Sequence, residues 1–494
     1  MRRWVPPPDA AETKSATLMS SFARPKRARQ LRALDALTAV KVAAAVPSQL
    51  GIGTRTRGAI MPPSRLPGAL RRSLGNAAWL LAGGGGAALL ALAATALAAR
   101  TLGGEEFGVL ALVHAGTLVI AAVFRFNAGP VLIRYGSSAV ARRDGASLVA
   151  LLLAVGIADL AGALAALAAA AASVALLVPA LDWPEPAVAL ARWYFPTVAL
   201  LLSATPLALL RLLGCFHLAA WHRLVLPAVR LVGTLVVVAA GGGLAAVAGV
   251  WLSSHLLETA TAWWWALVAL KRADLLAWPR RPWAHGLRPP RGLWRALFAL
   301  NLSGTLGLLS SRAVVVAVGS LLDPLAAGRL QLAMQVAGGL ERLTETFRRA
   351  LEPELAALHR QSDRRRLSRL VRRASLGLLA ATSPLLPLAL LAGAPLLEVL
   401  AGPEFGEAAD VLALLVLRQW LAGAALAAPP LLVLCDRAGT LLWTVALARL
   451  VQLALVLPLL PAIGLLAAGI AGLAGGLVET VWLLATLLRL LGRG

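Results

Sequence analysis

Two neighbouring stretches carry polar and charged side chains where an apolar helix would not tolerate them by accident. Gln331, Gln335, Gly338, Arg342, Glu345 and Arg349 follow one another at steps of four, three, four, three and four residues. Asn301, Thr305 and Arg312 recur at helical spacing just ahead of them. Steps of three and four gather side chains on one helix face. The residues between them are apolar, so both stretches read as passes through hydrocarbon joined by the short turn Leu322-Asp323-Pro324. A guanidinium near mid-bilayer costs several kcal/mol unless it meets protein, an opposite charge or water. The polar face must therefore line a cavity. The chemistry on offer there is binding, because the planar arginine fork donates two parallel hydrogen bonds to a phosphate or carboxylate.

Further candidates extend this set. Arg418 with Gln419, and Arg449 with Gln452, lie inside other apolar runs. His114 and Arg125 are eleven residues apart and nearly eclipsed on a continuous helix. Arg312, Arg125, Arg418, Arg342, Asn301 and Gln335 form the candidate binding set. Arg342 and Glu345, one turn apart, either neutralise each other or meet a ligand directly. Asp159, Glu258, Glu345 and Glu479 are either structural counter-ions or groups that couple a cycle to a proton or sodium counter-ion, since a desolvated carboxylate titrates nearer neutrality. His114 is either a packed neutral side chain or a proton-linked group.

Other chemistries are disfavoured. The two cysteines, Cys215 and Cys435, are isolated, so neither a disulfide framework nor a metal site is expected. Gly83 to Gly86 sit inside an apolar run without the strand-loop-helix setting of a phosphate loop, which points to close helix packing or a bend. No catalytic residue and no cofactor is implied.

The elements that must position these side chains are membrane helices. The chain has 494 residues, 59% hydrophobic and 14% charged, with a mean hydropathy of +0.78. That composition excludes an ordinary soluble domain. About twelve crossings are expected, at residues 77–97, 109–132, 148–171, 188–210, 225–240, 244–270, 297–318, 326–347, 374–391, 411–434, 441–460 and 463–488. The fifth is short, which suggests that it extends back past Arg223. The fold class is all-α and polytopic, with two six-helix lobes at 75–270 and 296–494 joined by a cytoplasmic linker at 271–295.

Arginines and lysines alternate between links in the way expected of cytoplasmic loops. Arg211 and Arg223, Lys271 to Arg291, Arg348 to Arg373 and Arg437 fall on one side, with Glu105, Glu106, Asp182, Asp323, Glu404 and Glu407 on the other; Arg100, Arg192 and Arg329, near the outer ends, are the exceptions. Both termini are then cytoplasmic. The formal net charge of +24 is explained by this bias and by anionic membrane lipids, and nucleic acid is not an expected partner. Residues 1–74 read as a disordered basic arm; an alternative is a start at Met61, with MPPSRLPGALRRSLGN as a short lead-in.

Three segments carry a family resemblance. Ala98-Ala99-Arg100-Thr101-Leu102-Gly103-Gly104-Glu105-Glu106-Phe107-Gly108-Val109-Leu110-Ala111-Leu112 resembles the first outer turn of the Wzx-type polysaccharide-biosynthesis flippases, within the MATE-like superfamily of oligosaccharidyl-lipid and drug exporters. Leu351-Glu352-Pro353-Glu354-Leu355-Ala356 resembles the close of their eighth span, and Ala401-Gly402-Pro403-Glu404-Phe405-Gly406-Glu407-Ala408-Ala409-Asp410-Val411-Leu412 the outer turn before their tenth. The likeness runs from about Leu74 to the C-terminus. It implies a non-enzymatic inner-membrane transporter that moves an undecaprenyl-diphosphate-linked oligosaccharide between leaflets, with the substrate site between the two halves. A drug or metabolite exporter or a lipid II flippase would share the architecture. A membrane polysaccharide polymerase or glycosyltransferase is the alternative of another class, although no outer link is long enough for its usual catalytic platform.

Overall fold

In hydrocarbon every backbone N–H and C=O must be paired within the chain, so long Ala-Leu runs fold as helices. In the computed structural model this is the whole architecture. The structure describes residues 66–125, 128–142, 144–201, 205–273, 275, 293–361, 363–435 and 437–492, all within the unit Pro62–Gly494. No strand occurs among them.

The N-terminal half contains α1 (Leu66–Phe124), α2 (Ala128–Ala141), α3 (Gly145–Ala172), α4 (Glu185–Tyr194), α5 (Thr205–Leu212), α6 (Phe216–Ala239) and α7 (Leu244–Arg272). A π-helical turn, Ser173–Leu177, extends α3, and a 3-10 segment, Phe195–Leu201, extends α4. The C-terminal half contains α8 (Leu293–Leu321), α9 (Pro324–Arg360), α10 (Arg364–Thr382), α11 (Leu385–Ala401), α12 (Ala409–Ala424), α13 (Ala428–Leu434), α14 (Ala438–Ile463) and α15 (Leu466–Gly492).

Each expected crossing has helix in its place, and the chain is an all-α polytopic membrane protein. Among the described residues seven helices are long and apolar enough to span, or eight if α12 and α13, bent by 41°, count as one. Merging and polarity contribute to the difference from twelve. The first two crossings are counted as one stretch, Gly84–Phe124, across Gly103, while α9 carries its polar face along much of its length. The fifth crossing does reach back, to Phe216. Helix α1 begins at Leu66, within the expected arm, whose earlier residues and the alternative start at Met61 lie outside the described residues.

The stretch α1 is two helices joined at Gly103, and it packs against α6, α8 and α9. The backbone at Gly103 is non-helical, with a φ of 71° that only glycine adopts freely. Where α1 crosses α9 the backbones nearly touch. A Cβ on Gly108 would lie 1.9 Å from the Pro324 carbonyl oxygen, and one on Gly328 would lie 3.0 Å from Gly108 Cα. Phe107, Leu110, Leu112, Val315, Leu332 and Phe405 are fully buried around this crossing. Pro324 at the first turn and the Asp323 carboxylate, which accepts the Ala326 N–H at 2.6 Å, start α9 there.

Candidate functional site

The polar face of α9 opens onto a cavity of about 710 Å³, walled by α8, α9, α12, α13, α14 and α15. By helix rise, the wall from Gln331 to Arg349 is about 27 Å long. Arg312, Arg342, Arg418, Gln335, Glu345 and Glu479 all line it. The cavity therefore lies among helices of the C-terminal half, whereas the sequence suggested a site between the halves. The side chain of Asn301 lies outside the described residues.

Six arginines and three glutamates face this space, leaving an excess of three positive charges. Their pairing decides which cations remain free for a ligand. Glu345 accepts from Arg348 Nε at 2.7 Å and from Arg349 Nε at 2.7 Å, so it is held by these two rather than by Arg342. Glu479 accepts from Arg449 Nη2 at 3.0 Å, and Arg449 Nη1 also donates to Gln452 Oε1 at 3.2 Å. Glu341 is reached by Gln419 Nε2 at 3.4 Å. Arg312 Nη1 donates to Gln331 Oε1 at 2.9 Å, while its Nε is buried without a partner. Arg342 and Arg418 form no hydrogen bond or ion pair among the described residues. Gly476 makes room for Arg418, since a Cβ there would lie 2.6 Å from Arg418 Cγ. Arg312, Arg342 and Arg418 are thus the cations without a carboxylate of their own.

The remaining candidates gather in the N-terminal half. Arg125 directly follows the last residue of α1, and its N–H bonds to the Ala121 carbonyl at 2.8 Å, so it stays close to the helical register of His114 and is exposed where the helix stops. It lies within electrostatic reach of Glu258 and Asp159. The Thr205 hydroxyl donates to Asp159 Oδ2 at 2.5 Å, and Asp159 Oδ1 is buried without a partner.

Beside them is a buried network built on four helices. His114 Nδ1 shares a hydrogen bond of 2.9 Å with the Tyr194 hydroxyl, and the His114 ring stacks on His255 with centroids 5.8 Å apart. Arg230 lies over the Trp251 ring at 4.0 Å and donates to Ser254 Oγ at 3.2 Å and to His255 Nε2 at 2.9 Å. Because His255 Nε2 accepts, the proton of the neutral ring sits on Nδ1, 3.5 Å from Glu258 Oε2.

Sequence reasoning missed Arg230, Tyr194, His255 and Glu341. Arg230 did leave a signal, a guanidinium inside the fifth expected crossing, and His255 and Glu258 are one helical turn apart.

At the end of the molecule that carries the acidic turns, the halves are latched together. Gly104 N–H donates to Glu404, and Arg100 donates through Nε to the Leu400 carbonyl at 3.0 Å. Within the C-terminal half, Arg329 holds the turn that receives Gly104, donating to the Glu404 carbonyl at 2.7 Å and pairing with Glu407 at 2.7 Å. The rings of Phe107 and Phe405 meet edge-on at 5.9 Å, and Trp183 Nε1 donates to Ser320 Oγ at 2.8 Å. At the opposite end Arg211 and Arg223 come within electrostatic reach of Arg349 across the halves, which is repulsive.

The fold has counterparts among solved structures. An inward-facing multidrug resistance MATE family transporter of the MOP superfamily superposes with a TM-score of 0.60 at 14% identity, covering 84% of this chain and 95% of that one. The fold is that of the MATE transporters. An outward-facing MATE structure gives a lower TM-score, 0.52, at 15% identity over 86% of this chain and 96% of that one. A MOP superfamily transporter from Pyrococcus furiosus, described as having a binding pocket of reversed polarity that suggests a different function, gives 0.53 at 14% identity over 86% and 97%. In sequence, the chain is 24% identical over 348 residues to the inner membrane protein YghQ of Escherichia coli K12, which spans 70% of this chain and 97% of that protein. No known family profile matches the chain.

Proposed function

We propose that this protein is a transporter of the cytoplasmic (inner) membrane that moves an undecaprenyl-diphosphate-linked oligosaccharide from the cytoplasmic to the periplasmic leaflet. The observation that carries the reading is the cluster of Arg312, Arg342 and Arg418 in the cavity, none of them matched to a carboxylate. A diphosphate brings two or more negative charges that cannot cross hydrocarbon unaided, and arginines supply the matching bidentate donors. Gln331, Gln335 and Gln419 beside them offer amides to sugar hydroxyls. The polyprenyl tail stays in the bilayer.

The latch at the acidic turns closes one end while the basic end repels, which suits a carrier waiting to load from the cytoplasmic side. The greater likeness to an inward-facing MATE structure than to an outward-facing one supports the same state. Translocation then consists of closing the basic end around the headgroup and breaking the latch, with no covalent step. Asp159 and Glu258 form an acidic pair of candidates for proton or sodium coupling, away from the substrate cavity.

An exporter of drugs or small metabolites is the second reading, favoured by the likeness to multidrug resistance MATE family transporters. A positively charged cavity disfavours the cationic compounds among its cargoes. The two readings separate in proteoliposomes. Transfer of a fluorescent prenyl-diphosphate disaccharide from one leaflet to the other, lost in Arg312→Ala and Arg418→Ala, supports the proposal. Leaflet transfer at the rate of empty liposomes, alongside uptake of a soluble anion, removes it.

A further inference from the structure

One ion pair in the cavity wall stands out by its geometry. Arg449 on α14 and Glu479 on α15 meet at 3.0 Å through a single nitrogen, with side chains only 15% and 25% exposed. The arginine is left incompletely satisfied. Its Nη1 reaches Gln452, but its Nε is buried with no partner. A carboxylate bound through one oxygen to one nitrogen forgoes the paired fork that makes arginine a strong anion ligand. Both side chains face the same cavity as Arg418. Arg418 lies within electrostatic reach of Arg449, Glu479 and Glu341, yet bonds to none of them.

Resting on the proposal that the cavity takes a diphosphate, we infer that Glu479 is a built-in competitor for that group. In the empty cavity its carboxylate occupies Arg449. A diphosphate seated on Arg418 displaces Glu479 and takes Arg449 as a second ligand through the fork that the carboxylate leaves unused. On release Glu479 returns and pushes the ligand off. The exchange trades one anion for another on the same cation, so the buried guanidinium is never left bare, which would be costly in a low-dielectric wall. It also sets the affinity. A site with more unopposed arginines would bind tightly and turn over slowly, whereas a resident competitor keeps binding weak enough for discharge. The Glu345 bond to Arg348 and Arg349 is a different case, because that carboxylate already satisfies two arginines of its own helix and stands near the exposed mouth.

The groups facing Glu479 are Arg449 and Gln452 from α14, Arg418 and Gln419 from α12, and, across the cavity, Glu341 and Arg342 from α9. None of the other carboxylates contacts Arg449, so neutralising Glu479 removes its competitor.

The test uses the full-length protein in detergent or nanodiscs, with farnesyl diphosphate and inorganic pyrophosphate as separate probes, followed by leaflet transfer in proteoliposomes. The inference predicts that Glu479→Gln and Glu479→Ala both bind farnesyl diphosphate about tenfold more tightly than the unsubstituted protein, while leaflet transfer slows. The tighter binding is expected to disappear when Arg449→Gln is added, because the gain acts through that guanidinium. Weaker or unchanged binding in both Glu479 variants, with the unsubstituted protein binding normally, overturns the inference and leaves the diphosphate site standing. Tighter binding with faster transfer overturns the discharge role. If pyrophosphate gains as much as farnesyl diphosphate, the competitor acts on the phosphate groups alone, as inferred; a gain limited to the lipid probe contradicts it. Failure of the unsubstituted protein and of Arg418→Ala to differ on either probe removes the diphosphate reading itself, and the inference with it.

Discussion

The crossing of α1 and α9 is where a single methyl group should have the largest effect on the transport cycle. In Gly108→Ala the new Cβ would stand 1.9 Å from the Pro324 carbonyl oxygen, 2.3 Å from the Pro324 carbonyl carbon and 2.8 Å from Leu325 N. All three are backbone atoms, so no rotamer change relieves the clash. Ordinary contact begins near 3.4 Å, so the helices must separate by about 1.5 Å. That displacement falls on the latch, between Phe107 and Phe405 and between Gly104 and Glu404. Overpacking of this kind costs about 1–3 kcal/mol. The cost is confined to the latched state, so it appears as a shift of about 5- to 150-fold toward the form opened at the acidic turns. The assay places a cysteine at Ser311 in the cavity wall, in a background with Cys215 and Cys435 replaced. Labelling by a membrane-impermeant maleimide from the acidic-turn side should accelerate by a factor in that range. Gly338→Ala, where a Cβ meets nothing within 4 Å, should leave labelling unchanged. A folded Gly108→Ala protein that labels at the unsubstituted rate refutes both the latch and the assigned state.

Three other outcomes follow from named contacts. Arg312→Lys keeps the charge but loses the fork and the geometry of the Gln331 bond, so prenyl-diphosphate affinity measured by calorimetry should fall about tenfold, and Arg312→Ala about a hundredfold. Arg230→Ala should instead lower stability by about 2–4 kcal/mol in thermal unfolding, through loss of the Ser254 and His255 bonds and the Trp251 stacking, while probe affinity stays within twofold. Asp144 caps α3, and its bonds from the Ser147 N–H and hydroxyl hold its carboxyl below the ordinary carboxylate value. With a depressed folded pKa, its contribution is present above the unfolded value and fades as the pH falls through the folded one. Asp144→Ala should therefore cost about 1 kcal/mol near neutrality and nothing in strong acid, as read by unfolding at the two pH values.

Much of this architecture was legible because hydrocarbon imposes one rule on every span. Runs of Ala and Leu located a helix for each expected crossing, and the polar steps along α9 located the cavity wall. Breaks were harder to read. The second crossing looked continuous by hydropathy, yet the sequence that follows Arg125 contains Gly129-Pro130, a breaker that apolar averaging hides. The bend between α12 and α13 likewise falls in an unbroken apolar run ahead of Pro429 and Pro430.

The site was legible in membership and opaque in pairing. Arg312, Arg342, Arg418 and Glu479 were marked by charge inside apolar runs, but nothing in one dimension shows that Glu345 is claimed by Arg348 and Arg349, or Glu479 by Arg449 thirty residues away. Those assignments need the helices side by side, and they decide which cations a ligand can reach. The Arg230 network was hidden for the same reason, since its partners come from α7 while His114 and Tyr194 arrive from α1 and α4.

The position of a bound phosphate decides most directly what the cavity is for. A density map of the protein with a bound prenyl-diphosphate disaccharide should show the diphosphate among Arg312, Arg342 and Arg418, with the sugar toward Gln335 and Gln419. A diphosphate found outside this cavity, with those three guanidinium groups still unliganded, would contradict it.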